Sequence, residues 1–164
     1  MTEKLEDIAQ AMVAPGKGIL AADESTATIK KRFDSIGVTS TEDTRRDYRE
    51  MLFRASDAMQ NYVSGVILYD ETIRQKAKDG TTLVDVMKAA GSLAGIKVDT
   101  GAKPLAGPTS HIETVTEGLD GLRERLAEYY DLGARFAKWR AVITIADGIP
   151  TWGCVKANAH ALAR

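Results

Sequence analysis

The chain alternates between stretches with helical spacing of apolar residues and short runs that are apolar throughout. Leu5, Ile8 and Met12 recur at helical spacing and predict an amphipathic helix over residues 2–13, ended by Pro15 and Gly16. The short apolar runs predict strands because they are too brief for buried helices. They cover Gly18–Ala22, Gly65–Tyr69, Leu93–Val98 and the stretch from Phe136 to Ile145.

Amphipathic segments between these runs predict further helices. The helix after the first strand should bury Ile29, Phe33 and Ile36 and end at Gly37. A longer helix is predicted over Ser40–Met59, with Tyr48, Leu52, Ala55 and Met59 on one side. Further helices are predicted at Ile73–Lys78, at Leu83–Ala90, from Leu119 to Gly133, and from Pro150 to the end with Trp152 and Val155 inward; Gly101–Pro108 is predicted as a loop.

Short strands that alternate with helices predict an α/β fold with a parallel sheet. Two architectures fit this pattern, an open doubly wound sheet and an arc of a βα barrel. A complete barrel takes about 250 residues, and this chain has 164. A barrel arc of four βα units would therefore need strands from elsewhere. In either case we expect residues 1–164 to form a single domain.

Amino-acid composition limits the kinds of partner that the chain could bind and the compartment in which it is expected. A formal net charge of −1 gives no support for nucleic-acid or membrane-surface binding. The N-terminus is acidic where a signal peptide is basic, and no apolar run is long enough to span a bilayer, so a cytoplasmic location is expected. Cys154 is the single cysteine and cannot form an internal disulfide. His111 and His160 lie outside any ligand motif and are expected at the surface.

Charged residues stand at the ends of several apolar strands. In the fourth strand, alternation places Phe136, Lys138 and Arg140 on one face. Burying cations on so apolar a strand is costly unless an anion lies beside them, which indicates an anionic ligand. The alternative is an edge strand with one face exposed to solvent. Asp23 follows the first strand in phase with Ala21, and Lys97 ends the third.

In both architectures, ligands bind beyond the carboxyl ends of the strands. A carboxylate and several cations gathered there would suit a phosphorylated substrate that carries a carbonyl group. Arginine and lysine bind phosphate, and neighbouring cations favour a neutral, nucleophilic lysine. The structural alternative is that Asp23 caps the next helix and that the lysines are solvated rim residues.

Further basic residues follow in the next two helices. Ser25 stands at the start of the first of these helices, with Lys31 and Arg32 farther along it, so this segment could hold a phosphate. Arg45 and Arg46 lie beside acidic residues early in the next helix, where surface ion pairs are an equally good interpretation.

Several strings, taken together and in order, resemble class I fructose-bisphosphate aldolases. They are VAPGKGILAADEST (Val13–Thr26), GIKVD (Gly95–Asp99), PLAG (Pro104–Gly107), GLDGL (Gly118–Leu122) and FAKWR (Phe136–Arg140). The resemblance implies a (β/α)₈ barrel, usually a homotetramer, that cleaves fructose 1,6-bisphosphate reversibly into dihydroxyacetone phosphate and glyceraldehyde 3-phosphate. The reaction uses a lysine Schiff base and no metal or other cofactor.

The resemblance also implies individual roles. Asp23 is similar to the aspartate that assists at the substrate hydroxyl and in carbon–carbon cleavage. Lys138 resembles the lysine that helps to form and dehydrate the carbinolamine. Lys97 and Arg140 resemble neighbouring substrate-binding residues. The residues that resemble phosphate ligands are Arg32, Lys31, Ser25 and Arg45.

In the family, the Schiff-base lysine lies on the sixth strand, the glutamate acid/base residues on the fifth and the other phosphate site on the last two strands. We therefore expect a truncated aldolase that corresponds to the first four βα units and is inactive alone. Its open sheet edges should make the isolated chain either self-associate or be only marginally stable. The alternatives are a non-catalytic phospho-sugar binding or assembly half-barrel, and a residual amine catalyst that uses Lys97 or Lys138.

Overall fold

A computed structural model describes residues 3–107 and 112–164 of the chain. The helices are α1 (Leu5–Met12), α2 (Thr26–Asp34), α3 (Glu42–Phe53), α4 (Ser56–Tyr62), α5 (Asp70–Arg74), α6 (Leu83–Ala89), α7 (Leu122–Asp131) and α8 (Trp152–Ala163). The strands are β1 (Gly18–Ala22), β2 (Val63–Leu68), β3 (Leu93–Lys97), β4 (Gly101–Pro104), β5 (Thr114–Glu117) and β6 (Ala134–Lys138). The prediction for His111 lies outside the described residues, whereas His160 is exposed as predicted.

Four strands form one sheet in the order β1-β2-β3-β6. β1 and β3 both run parallel to β2, so the predicted parallel α/β arrangement is confirmed for these strands. Ala22 pairs with Leu68, and Leu68 pairs with Ile96, which aligns the carboxyl ends of the three strands. This register determines where the residues that follow each strand can lie.

The chain divides into two compact units. The first comprises the chain up to Lys97 together with Ala127–Ala137, and the second comprises Val98–Leu126 with Lys138–Arg164. In the first unit, α4 packs on β2, and α6 packs on β3. Three of its helices begin at side-chain caps, since Ser25, Thr41 and Thr82 accept hydrogen bonds from the first turns of α2, α3 and α6.

The second unit is built on a hairpin that the sequence analysis missed. β4 pairs antiparallel with β5, where only a loop over Gly101–Pro108 was predicted. Gly101 and Pro104 are residues typical of loops, and β5 is too short for its alternation to stand out. Helix α8 packs against β5.

The predicted fourth strand ends early. β6 stops at Lys138 rather than continuing to Ile145. Beyond it, the Arg140 and Val142 carbonyls accept hydrogen bonds from the side chains of Thr116 and Thr114. These threonine contacts satisfy backbone groups that strand pairing would otherwise satisfy.

The predicted helix over Ser40–Met59 is divided into α3 and α4 by a non-helical Ala55. Phe53 and Met59 are both buried. In one continuous helix of about 3.6 residues per turn, these side chains would lie on different faces. The interruption allows both to enter the core.

Some predicted core positions were wrong because helix ends and rims expose one edge of an apolar stripe. Ile36 follows the end of α2 and is 71% exposed, and Trp152 begins α8 and is 77% exposed. Val155 is also exposed. The predicted helix over Ile73–Lys78 is wrong after Arg74, where α5 ends.

Candidate functional site

Two candidate residues stand at the aligned ends of the parallel strands of the first unit. Asp23 directly follows Ala22, and Lys97 directly follows Ile96, and both are half-buried. Adjacent strands lie about 4.8 Å apart, and β2 lies between β1 and β3, so the two backbones are roughly 10 Å apart. That spacing suits two side chains that converge on one small molecule.

Strand alternation places Lys97 on the face that carries Gly65 and Gly95. An added Cβ atom at Gly65 would lie 3.0 Å from the Phe136 ring, and one at Gly95 would lie 2.2 Å from it. The ring of Phe136 therefore covers both glycines on this face. Since Lys97 lies two positions after Gly95, it shares that face at the carboxyl edge of the sheet.

Lys138 and Arg140 belong to the second unit. Lys138 is half-buried, and its carbonyl accepts a hydrogen bond from the Val98 amide at 3.1 Å. Arg140 has an exposed side chain, and its carbonyl accepts from Thr116 Oγ1 at 2.8 Å. Backbone hydrogen bonds thus fix the main chain that carries both cations.

The predicted phosphate-binding residues of α2 lie at its start and on its exposed side. Ser25 is the N-cap and accepts a hydrogen bond from the Thr28 amide at 3.3 Å. Lys31 and Arg32 are exposed. Arg32 Nη1 donates to Oε1 of Glu24, the residue that follows Asp23. The guanidinium closest in sequence to the candidate carboxylate is therefore already paired with an internal anion.

Arg45 is engaged by a different carboxylate. Its Nε donates to Glu71 Oε2 at 2.9 Å, and its Nη2 donates to Glu71 Oε1 at 2.5 Å. This forked hydrogen bond raises the pKa of the Arg45 guanidinium above its ordinary value. A role for Arg45 as a phosphate ligand stays a prediction, and it would require phosphate to displace Glu71.

Sequence reasoning did not single out Arg49, although it is fully buried. Its Nη2 donates to the Glu24 carbonyl at 2.7 Å, so it holds the peptide that follows Asp23. Burial lowers the pKa of Arg49, while the charges of Glu24 and Glu71 oppose that shift. The signal that could have found Arg49 is its position four residues before the buried Phe53 on α3.

The part of the chain that the structure describes shows neither a metal-binding cluster nor a membrane-spanning helix. Residues 3–107 and 112–164 contain no group of three or more His, Cys, Asp or Glu side chains placed to hold a metal ion. None of the described helices is both long and apolar enough to cross a membrane.

The aligned parallel strands, their helical connections and the charged residues at their carboxyl ends define the chain as a segment of a (β/α)₈-barrel protein. Comparisons with known proteins identify the family. The model of the family described as "Fructose-bisphosphate aldolase class-I" matches residues 4–164. The chain belongs to the class I fructose-bisphosphate aldolase family.

Relatives from bacteria and animals agree with this assignment. The chain is 61% identical over 162 residues to a probable fructose-bisphosphate aldolase class 1 of Xanthomonas axonopodis pv. citri, a match that covers 99% of this chain and 48% of that protein. It is 52% identical over 161 residues to fructose-bisphosphate aldolase C of Carassius auratus, covering 98% of this chain and 44% of that protein.

A solved structure confirms the fold. The fructose-bisphosphate aldolase of Plasmodium falciparum, crystallised in complex with TRAP and a small-molecule inhibitor, superposes with a TM-score of 0.88 at 45% identity. The match covers 97% of this chain and 46% of that one. The chain thus spans about half the length of the relatives that it matches.

Proposed function

We propose that this chain supplies one part of the active site of a Schiff-base aldolase that cleaves fructose 1,6-bisphosphate to dihydroxyacetone phosphate and glyceraldehyde 3-phosphate, a reaction of glycolysis and gluconeogenesis. The observation that carries the proposal is the register that aligns Ala22 with Ile96 through β2. It brings an acid/base carboxylate, Asp23, and an ammonium group, Lys97, to one edge of one sheet. The identity of the proposed substrate comes from membership of the aldolase family.

Each proposed role agrees with the chemistry of its residue. Asp23 moves a proton at a substrate hydroxyl during carbon–carbon cleavage. Lys97 and Arg140 bind the substrate through their positive charges. Lys138 assists the formation and dehydration of a carbinolamine. The phosphate groups are held by Arg32 with Lys31, Ser25 and Arg45.

By resemblance, the lysine that forms the imine lies on a sixth barrel strand, whereas the parallel sheet formed by the described residues has four strands. We therefore propose that the 164-residue chain binds phosphorylated sugars without turning them over. The resemblance also supports a cytoplasmic location, a homo-oligomeric assembly and a reaction without metal. The second candidate function is a non-catalytic phospho-sugar binding or assembly module, which the open edges of β1 and β6 favour.

Calorimetric titration with fructose 1,6-bisphosphate tests the binding role. Loss of one charge-assisted phosphate contact should weaken binding about tenfold in Arg32→Met. Lys30→Met is the matched control, since Lys30 lies on the same helix and pairs with Asp34. The binding role would be abandoned if the unmodified chain failed to bind, or if both variants lost the same affinity.

Borohydride trapping with dihydroxyacetone phosphate tests the chemistry. Binding without a covalent adduct is the expected result for this chain. An adduct mapped by mass spectrometry to Lys97 or Lys138 would show instead that one of these lysines forms an imine unaided. Joining the chain to the second half of the Xanthomonas relative should restore an adduct on a lysine of that half. Binding that persists without any adduct in this fusion would favour the non-catalytic candidate.

A further inference from the structure

Glu24 lies between two arginines that approach it from different helices. Its side chain is only 9% exposed. Oε1 accepts a hydrogen bond from Arg32 of α2. Oε2 is buried, makes no hydrogen bond with any part of the chain that the structure describes, and lies 3.9 Å from Nη2 of Arg49 on α3. One oxygen of this carboxylate is thus satisfied and the other is not.

Arg49 also has unmade hydrogen bonds. It is fully buried, and neither Nε nor Nη1 has a hydrogen-bond partner among the residues that the structure describes. Nη1 lies 3.6 Å from Glu71 Oε2, an oxygen that already accepts from Arg45 Nε. Unmade hydrogen bonds on a buried charge are unfavourable. Nη2 already donates one of its two N–H groups to the Glu24 carbonyl. A movement of about 1 Å would bring Glu24 Oε2 within ordinary hydrogen-bond distance of that same nitrogen, whose second N–H could then donate to it.

Arg32 has one charged partner that competes with any external anion. Its side chain is 59% exposed, so phosphate can approach it, but its Nη1 donor is occupied by Glu24. Phosphate and carboxylate prefer the same planar donor groups of arginine. An anion that binds Arg32 must therefore displace Glu24 or share the guanidinium with it.

We propose that Glu24 is an internal competitor that sets the affinity of the Arg32 site for phosphate, and that Arg49 receives the carboxylate when phosphate displaces it. The inference rests on the proposed role of Arg32 as a phosphate ligand, and it adds two residues that control that role. In the unliganded chain Glu24 pairs with Arg32; in the liganded chain it completes its hydrogen bonds to Arg49. Phosphate stabilises the second arrangement because it binds that arrangement more tightly.

The proposal predicts substitution effects of opposite sign. Glu24→Gln removes the competing charge and should tighten phosphate binding about fivefold, since a half-exposed ion pair contributes up to about 1 kcal/mol. Arg49→Met removes the receiving cation, so Glu24 stays on Arg32 and binding should weaken about threefold. The double variant should bind as tightly as Glu24→Gln alone, because Arg49 acts only through Glu24.

The double variant also separates this device from a simple field effect. If the positive charge of Arg49 attracted phosphate directly, Arg49→Met would weaken binding by the same factor with or without Glu24. Asp34→Asn is the matched control for charge. It removes a carboxylate from the helix that carries Arg32, but Asp34 pairs with Lys30 rather than with Arg32.

Circular dichroism first establishes that each variant is folded. The full chain and these variants are then titrated with inorganic phosphate, and binding is monitored through the NMR chemical shifts of the Arg32 side chain. If Arg49→Met does not fold, the single variant Arg49→Lys and the double variant Glu24→Gln/Arg49→Lys replace it in the same comparison. Tighter binding in Glu24→Gln, together with loss of the Arg49 effect in the double variant, would support the proposal. Unchanged affinity in Glu24→Gln, or an equal Arg49 effect in both backgrounds, would overturn it while leaving Arg32 as a phosphate ligand. Absence of binding in every variant would overturn both.

Discussion

The two compact units differ in what they bury. In the described part of the first unit, the largest buried side chains are mainly apolar and come from both the sheet and its helices. Examples are Phe53, Leu68, Leu83, Met87 and Ile96. Such a core gains most of its stability from removing apolar surface from water. Arg49 is a large buried exception in this unit.

Polar side chains carry much of the interior of the second unit. Asp99, Glu113, Thr116 and Asn158 are all buried there. Asn158 accepts from the Thr116 amide at 3.2 Å and donates to the Thr114 carbonyl at 2.9 Å. Glu113 accepts from the amide and the hydroxyl of Thr151, the N-cap of α8. The first unit should therefore respond most to changes in packing, and the second to the loss of a single polar partner.

The largest expected effect is the loss of Asn158. Asn158→Ala leaves a buried amide at Thr116 and a carbonyl at Thr114 without this partner, and it should destabilise the second unit by about 3 kcal/mol. The Cys154 thiol is a convenient reporter, because it lies in the same unit, is buried and has a pKa raised by burial. Its alkylation rate under native conditions should rise about 100-fold if alkylation follows opening of the unit.

His160→Ala is the matched control for that prediction, since His160 lies on the same helix but is exposed. It should leave the alkylation rate nearly unchanged. A small effect of Asn158→Ala, comparable with that of the control, would contradict the view that polar partners hold the second unit together.

A packing change should give the next largest effect, in the first unit. In Gly95→Ala the new methyl group would lie 2.2 Å from the Phe136 ring, so the ring must move. Overpacking of this kind should lower the free energy of unfolding by about 2 kcal/mol, measured by urea titration with circular dichroism.

Two further variants test whether the clash with the Phe136 ring causes the instability of Gly95→Ala. Gly18→Ala on β1 should cost far less, because its Cβ would meet no atom within 4 Å. Phe136→Leu should recover part of the loss when combined with Gly95→Ala, since it removes the ring carbons that clash. Independent, additive effects of the two substitutions would show that the ring is not what opposes a side chain at position 95.

The same difference explains how much could be predicted from sequence. In the first unit, most buried side chains belong to the apolar runs and helical stripes visible in the sequence, and the prediction for β1 matches its observed bounds, Gly18–Ala22. Asp23 and Lys97 were predicted at strand ends for the same reason, since the ends of the apolar runs are visible in the sequence. The break at Ala55 was missed because it depends on the need for both Phe53 and Met59 to enter the core, which is a tertiary requirement.

In the second unit, the sequence contains little apolar periodicity from which strands or buried residues could be predicted. The hairpin of β4 and β5 consists of short strands rich in polar residues, and the chain after Lys138 is held by hydrogen bonds from threonine side chains. Such contacts join residues far apart in sequence and leave no periodic signal. The pairing of Glu24 with Arg32 and Arg49 was missed for this reason too, because charged residues on helices are ordinarily read as exposed.

Acid should affect the first unit through carboxylates whose pKa values are lowered. Backbone and side-chain hydrogen bonds from Thr81, and then from Arg54, lower the pKa of Asp79 below its ordinary value of 3.8. A lowered pKa in the folded state means that the stabilisation is present above the unfolded value and is lost as the pH falls through the folded one. The urea midpoint should therefore begin to fall as the pH drops below about 5 and should keep falling below pH 3.8, and the loss should be smaller in Asp79→Asn.

Lys78→Met separates this carboxylate from its neighbours. It removes the hydrogen bond that lowers the pKa of Asp47, so it should reduce the acid sensitivity by a separate amount. If Asp79→Asn and the unmodified chain lost stability equally on acidification, the hydrogen bonds to Asp79 would not contribute to folding.

The smallest expected effect is a gain in stability in the second unit. Gly153 lies in the first turn of α8, and an added Cβ would meet only Thr151 Oγ1, at an ordinary 3.7 Å. Gly153→Ala should therefore stabilise α8 by about 0.5 kcal/mol, because alanine restricts the unfolded chain and favours the helix. The alkylation rate of Cys154 should fall about twofold, with the urea midpoint of the first unit unchanged.

Gly148 provides a control with the opposite sign. No atom lies within 4 Å of its added Cβ, but its φ of +71° is a conformation that side chains disfavour. Gly148→Ala should thus destabilise by about 1 kcal/mol through the backbone alone. If both alanine substitutions weakened the second unit, space around α8 would be more restricted than the contacts of Gly153 indicate. A gain at position 153 with a loss at position 148 would show that local backbone preference stabilises this unit independently of its buried polar network.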